Sequence, residues 1–134
     1  MNQDAVEIWV LRAEHDLKIG KDELGCDDPA TDAICFHMQQ CVEKYLKAFL
    51  VFHGKEIERT HDIGFLVNRC AEIDADFRLL IELGVPELTT YAVKARYDEL
   101  VFPSVDEARD AVNLAQHTRD FVRKKLKGKG YALQ

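Results

Sequence analysis

The stretch "ICFHMQQCVEKYLKAFL", Ile34 to Leu50, decides the fold. It is an almost unbroken run of helix formers. At about 100° per residue, Ile34, Met38, Cys41, Val42, Tyr45, Leu46 and Phe49 cover most of the circumference. His37, Gln40, Lys44 and Lys47 fall on one narrow polar stripe, with Glu43 at its edge. A helix so broadly apolar belongs at the centre of a bundle, buried by its own chain and by a partner subunit. The stripe has two readings. It is the solvated face of an ordinary amphipathic helix, or it is a polar cleft where the lysines act as point charges on an anion such as phosphate and His37 as a titratable donor. Periodicity leaves both open.

Working outward, Val6, Trp9, Val10, Ala13 and Leu17 recur at three- and four-residue steps, which predicts a first helix from Asn2 or Asp4 to between Gly20 and Gly25. The loop "LGCDDPATD" follows, and Thr31 or Asp32 is the expected N-cap of the central helix, which Gly54 stops after His53. "GKEIERTHDI" has no period and reads as a connection. Thr60 is then placed to cap a third helix through Ile63, Leu66, Val67, Cys70 and Ile73. A short helical piece precedes Gly84, and Pro86 suits the first turn of a fourth helix through Leu88, Tyr91, Ala92 and Ala95, because it has no N–H to leave unpaired there. The last helix has the clearest start. Ser104 and Glu107 form a capping box before one apolar face of Ala108, Ala111, Val112, Ala115, Thr118, Phe121, Val122 and Leu126. No sustained two-residue alternation calls for strands. The expected architecture is all-α, an up-and-down bundle of four to five helices in one domain over residues 1–134, with 128–134 a flexible tail.

Composition agrees and narrows the function. The 134 residues are 47% hydrophobic and 31% charged with seven Gly and three Pro, a globular balance. A net charge of -6 argues against a broad basic surface for duplex nucleic acid, so any RNA contact is local. The basic run "RKKLKGK", Arg123 to Lys129, complements the dipole of the last helix and trails into solvent. Cys26, Cys35, Cys41 and Cys70 form no C-x-x-C pair, and neither a metal nor a disulfide framework is expected. The acidic N-terminus lacks the basic segment of a signal peptide, and no apolar run reaches the roughly 18 to 20 residues of a membrane span, which points to a reducing cytoplasm. There is no internal repeat, Gly-rich phosphate loop, H-E-x-x-H or nucleophile elbow.

Two further clusters join the stripe. "ERTHD", Glu58 to Asp62, lies at the entry to the third helix, where backbone N–H groups favour anions. "KARYDE", Lys94 to Glu99, lies near the end of the fourth, where Arg96 pairs with Asp98, Glu99 or last-turn carbonyls and Tyr97 forms an amphipathic wall.

The blocks "AEHDLKIG", "CFHMQQCVEKYLKAFLVFHG", "THDIGFLVNRC" and "ARYDE", with the last helix, resemble in that order the HEPN family, small helical domains named for higher eukaryotes and prokaryotes nucleotide-binding. The resemblance covers nearly the whole chain. It implies a bundle that commonly dimerises, with the central helices contributing to the interface and a polar cleft. It also implies a partner, because stand-alone prokaryotic members are often encoded beside a minimal nucleotidyltransferase, as in toxin–antitoxin pairs. By the same resemblance His37, Gln40, Glu43, Lys44, Lys47, His61, Asp62, Arg96 and Tyr97 are the candidate nucleotide- or RNA-contacting residues.

Many HEPN domains are metal-independent ribonucleases using R-x4-6-H, in which His acts as general base and Arg stabilises the charged phosphate. This sequence departs from that pattern. Arg96 has no His in the window, and Arg109 precedes His117 with seven intervening residues, while Arg119 and Arg123 follow that histidine. On one helix Arg109 and His117 lie about 12 Å apart along the axis. His117, one turn from Leu114 and Phe121, reads as a partly buried structural residue. The expectation is therefore a nucleotide-binding or regulatory module without cofactor or metal. The alternative is an endoribonuclease toxin using His61 or His117 with Arg96 or Arg109.

Overall fold

Val6, Val10, Ala13, Leu17 and Gly20 bury one face of α1 (Gln3–Leu24) against α2 (Thr31–Phe52), the helix whose sequence is apolar nearly all round. The computed structural model describes residues 3–92 and 102–133. α2 is the axis of the molecule, packed by α1, by α3 (Ile63–Ile73) and by the long last helix α5 (Val105–Gly128). The short α4 (Arg78–Glu82) packs on α3. Tyr45, Phe49, Met38 and Leu46 of α2 are fully buried, and Phe49 packs at a tilt against Phe77 with ring centres 4.4 Å apart, which in turn meets Phe121 of α5 edge-on at 4.9 Å. Each buried ring or branched aliphatic contributes about 1.5–3 kcal/mol, so the aromatic column fixes how α5 lies across α2. There is no strand among the described residues, and the all-α bundle stands.

The helix ends follow local chemistry. α2 starts after Ala30 with no side-chain cap, so the expected cap by Thr31 or Asp32 does not form; both residues lie inside the first turn. The Ala30 N–H instead donates to Glu23 Oε2 at 2.9 Å, a carboxylate borrowed from α1. α2 ends at Phe52, and the chain turns through Gly54 at φ 70°, a left-handed conformation that glycine adopts without strain. α3 is capped by Asp62, whose Oδ1 accepts from Phe65 N–H at 3.1 Å, and not by Thr60 as expected. Thr60 Oγ1 accepts from Asp62 N–H at 3.1 Å, which supports the cap from one step back. A 3-10 turn (Ala75–Phe77) leads into α4, Gly84 reverses the chain at φ 86°, and Pro86 sits in the first turn of a second 3-10 segment (Val85–Leu88). Residues 89–92 are helical; Ala95, the expected continuation, lies outside the described residues. α5 carries the full capping box, Ser104 Oγ accepting from Glu107 N–H at 3.0 Å and Glu107 Oε1 from Ser104 N–H at 3.5 Å.

After α5 the chain folds back. Tyr131 N–H donates to Leu126 O, and its ring is buried edge-on to Phe52, so the segment expected as a flexible tail contains an anchored tyrosine. All four cysteines are free; Cys26 is exposed and the other three are buried, burial pushing the Cys35 thiol up to about 11. No helix among the described residues is long and apolar enough to cross a membrane.

Candidate functional site

The polar stripe of α2 is organised by two carboxylates, one from each side. Asp16 of α1 is only 7% exposed, because it shares the buried face with Ala13, Leu17 and Gly20. Its Oδ1 accepts from His37 Nδ1 at 2.8 Å and its Oδ2 from Lys44 Nζ at 2.6 Å. Glu43 of α2 is 4% exposed and repeats the device. Its Oε1 accepts from His61 Nδ1 at 2.8 Å and from Gln39 Nε2 at 3.0 Å, and its Oε2 accepts from Lys47 Nζ at 2.8 Å. Burial alone would raise the Glu43 carboxyl, but hydrogen bonds from Lys47, His61 and Gln39 outweigh it and hold the group below the ordinary value of 4.5. Lys47 is 6% exposed and also lies over the Trp9 ring at 5.7 Å.

Each unit is thus a histidine, a carboxylate and a lysine, with one carboxylate oxygen held against the imidazole and the other against the ammonium. A carboxylate only accepts, so the proton of each imidazole is on Nδ1. Nε2, on the far side of the ring, is bonded by no described residue, and the His61 side chain is 59% exposed. Such an edge is an acceptor when the ring is neutral and a charged donor when it is protonated. The lysines are less free than their stripe suggests: Lys44 is neutralised by Asp16 and Lys47 by Glu43.

The remaining candidates divide. Gln40 donates to Gln39 Oε1 at 2.7 Å, and Gln39 also donates to the His61 carbonyl at 3.1 Å, which ties the entry to α3 onto α2. Asp62 is occupied as the α3 cap. Arg96 and Tyr97 lie outside the described residues. Arg109 pairs with Asp106 at 2.9 Å on the exposed face of α5. His117 is exposed and bonds no described residue, so it is not the partly buried structural histidine expected; Leu114 and Phe121 turn inward and it does not. Among the described residues no group of three or more His, Cys, Asp and Glu side chains is placed to hold a metal ion.

Three residues escaped the sequence reading. Asp16 was hidden in the apolar face of α1, although a charged residue between Ala13, Leu17 and Gly20 is itself a signal of a buried partner. Gln39 is fully buried one turn before Glu43. Glu14 is the third. Tyr45 OH donates to its Oε2 at 2.5 Å, and the Arg119 guanidinium grips both oxygens at 3.0 to 3.2 Å, with Arg123 3.4 Å from the Tyr45 hydroxyl. Burial acts to raise the Glu14 carboxyl, and the bonds from Arg119 and Tyr45 bring it below its ordinary value. Farther along the basic run, Lys125 bridges Asp74 and Asp76 at 2.9 and 2.5 Å. Arg123 and Lys125 of that run are therefore bound to the bundle, while Lys124, Lys127 and Lys129 are exposed as expected.

A helical bundle with a broadly apolar central helix and a histidine-bearing polar stripe is the class that this geometry defines. The HEPN domain model matches residues 6–125, and the chain belongs to the HEPN family. The crystal structure of an archaeal HEPN homologue is similar to it, with a TM-score of 0.68 and 25% sequence identity, over 90% of this chain and 97% of that one. No curated protein matches the chain in sequence. Membership supports a nucleotide-binding or ribonuclease-like module in general, in a family that often forms dimers.

Proposed function

We propose that this HEPN protein is a nucleotide- or RNA-contacting regulatory module, a cytoplasmic homodimer that acts with a minimal nucleotidyltransferase in a toxin–antitoxin type system and is not itself a ribonuclease. The observation that carries the contact surface is the doubled histidine–carboxylate–lysine unit, which fixes His37 and His61 by Nδ1 and leaves Nε2 of each ring without a partner among the described residues. Two imidazole edges held this way meet phosphate oxygens or base edges without first losing rotamer freedom, which lowers the cost of binding. The non-catalytic part is supported by Arg109 and His117, which share no partner and stand on α5 as separate exposed groups. The partner follows from the family resemblance.

The test is a thermal-shift panel of ATP, GTP, CTP, UTP and a short single-stranded RNA at millimolar concentration. A ligand at 100 times its Kd stabilises the fold by about 2.7 kcal/mol. His37→Ala or Lys44→Ala removes the shift. A flat response across the panel overturns the contact function, and cleavage of the RNA in EDTA by the purified protein overturns the non-catalytic reading.

A further inference from the structure

The hydrogen-bond polarity of the α2 stripe is fixed from beneath it. Gln39 is fully buried, and its Nε2 donates to Glu43 Oε1 at 3.0 Å and to the His61 carbonyl at 3.1 Å. Both of those atoms only accept, so the amide nitrogen must stand there and Gln39 Oε1 faces the other way. Gln40 donates to that oxygen from Nε2 at 2.7 Å. Turning the Gln40 amide over would set two carbonyl oxygens against each other, and turning Gln39 over would set its oxygen against a carboxylate and a carbonyl. An ordinary surface glutamine presents either end of its amide; Gln40 is held to one.

The outer edge that results is mostly acceptor. Gln40 Oε1 takes no hydrogen bond from a described residue, and beside it stands the remaining N–H of the same amide. His37 lies one turn before Gln40 on α2, with Cβ atoms about 5–6 Å apart, and His61 joins the row through Glu43. Asp16 and Glu43 each already have an ammonium as counter-ion, so a neutral imidazole completes either unit, and with the proton on Nδ1 its Nε2 accepts. Solvent reaches this row: the His37 and His61 side chains are 28% and 59% exposed, and Gln40 is half-buried. Phe36, also half-buried, precedes Gln40 by four residues, and its ring meets His37 edge-on with centres 5.6 Å apart.

We infer that this edge selects a nucleobase whose exocyclic amino group adjoins an unprotonated ring nitrogen, as in adenine and cytosine, over one that presents a keto oxygen beside a ring N–H. The inference rests on the contact reading proposed above and names its ligand more narrowly. One amino N–H takes Gln40 Oε1 while the free Gln40 N–H donates to the ring nitrogen, the two-point pairing that a glutamine makes with adenine. The second amino N–H takes His37 Nε2, and Phe36 offers the base an apolar ring to lie against. A keto base brings its oxygen against Gln40 Oε1, and the locked amide does not turn to receive it. Gln39 is therefore a positioning residue that acts through Gln40, and Gln40 is the residue that reads the base.

Titration calorimetry on the full chain compares CMP with UMP and AMP with IMP, each pair sharing its ribose and phosphate and differing at the amino or keto edge. At about pH 8, where an ordinary imidazole is neutral, CMP and AMP bind at least about tenfold more tightly than their keto partners and than ribose 5-phosphate. Gln40→Met weakens CMP and AMP by about tenfold and erases the preference. Gln39→Leu leaves CMP and AMP bound and lets UMP and IMP bind as well as they do, because the Gln40 amide is then free to turn; a merely structural Gln39 would lose all four together. Gln40 is half-buried and methionine has a similar length, so the test stands on that variant if Gln39→Leu does not fold. Heteronuclear NMR of the histidine rings finds Nε2 of His37 and His61 without a proton. The inference is overturned if affinities are equal within both pairs, if the preference survives Gln40→Met, or if either Nε2 carries the proton. Four nucleotides bound alike and all lost in His37→Ala overturn the amino selection and leave the contact reading standing. No binding by any of the four overturns both.

Discussion

Replacing Glu43 by alanine is the sharpest probe of the doubled unit. The substitution removes the counter-charge of Lys47, whose ammonium is nearly as buried as the carboxylate it meets at 2.8 Å. Breaking a buried pair by removing one partner costs about 3–5 kcal/mol. Trp9, with its ring centre 5.7 Å from Nζ, retains about 1 kcal/mol of compensation for the stranded cation. The expected loss is then about 2–4 kcal/mol. With an unfolding entropy near 0.28 kcal/mol/K for a 134-residue chain, this corresponds to a fall in Tm of about 7–14 °C. Urea denaturation at pH 7 reads it as a lower midpoint at constant slope. The paired variant Glu43→Leu with Lys47→Met removes both charges while keeping the volume, and should recover stability to within about 1 kcal/mol of the native chain. His61, being largely exposed, turns its Nδ1 to water in that background. A Glu43→Ala loss under about 1 kcal/mol, or a double variant no better than the single one, refutes the view that Lys47 is held by Glu43 in a water-poor site.

Acid should act on the same group with a definite sign. The Glu43 and Glu14 carboxyls both lie below their ordinary 4.5 in the folded protein, so their stabilisation is complete above that value and is lost as pH falls through the lower, folded value. The stability gap between the native chain and Glu43→Gln is therefore widest near neutrality and closes as pH falls below 4.5 and through the folded value, as urea midpoints at stepped pH will show. Gly84→Ala forces a side chain into φ 86° with its Cβ 2.9 Å from Glu87 Oε2, and calorimetry should find about 1–2 kcal/mol of destabilisation. Ser104→Ala removes one half of the capping box and should cost about 1 kcal/mol by the same measurement.

The helices were readable because their signals are local. The apolar circumference of α2 demanded a central position, and Ser104 with Glu107 marked the start of α5 within four residues. The missed caps show where locality ends. Ala30 is served by Glu23 across the α1–α2 loop, and Asp62 displaces Thr60 because the helix must begin in time to drive Ile63 into the core. The candidate site was half legible for the same reason. His37, Gln40, Glu43, Lys44 and Lys47 share an arc that any helical wheel exposes, whereas Asp16 and Glu14 contribute through contacts 21 to 105 residues away in sequence. A periodicity argument ranks such residues by the face of their own helix and is blind to what that face meets.

The grip of Arg119 on Glu14 joins residues 105 positions apart, while α1 and α2 are joined by the short loop 25–30. Closing the long span has an entropic cost that the α1–α2 hairpin avoids. The order of assembly follows: the hairpin forms early around Val10, Leu17, Met38 and Tyr45, and α5 docks afterwards, with the guanidinium engaging once the two ends of the chain are already near each other. Loss of that contact through Arg119→Met should leave the refolding rate nearly unchanged and accelerate unfolding in stopped-flow measurements. Equal slowing of refolding would instead place α5 in the folding nucleus. The bidentate pair is in this sense a latch, setting how long the folded molecule lasts more than how fast it forms.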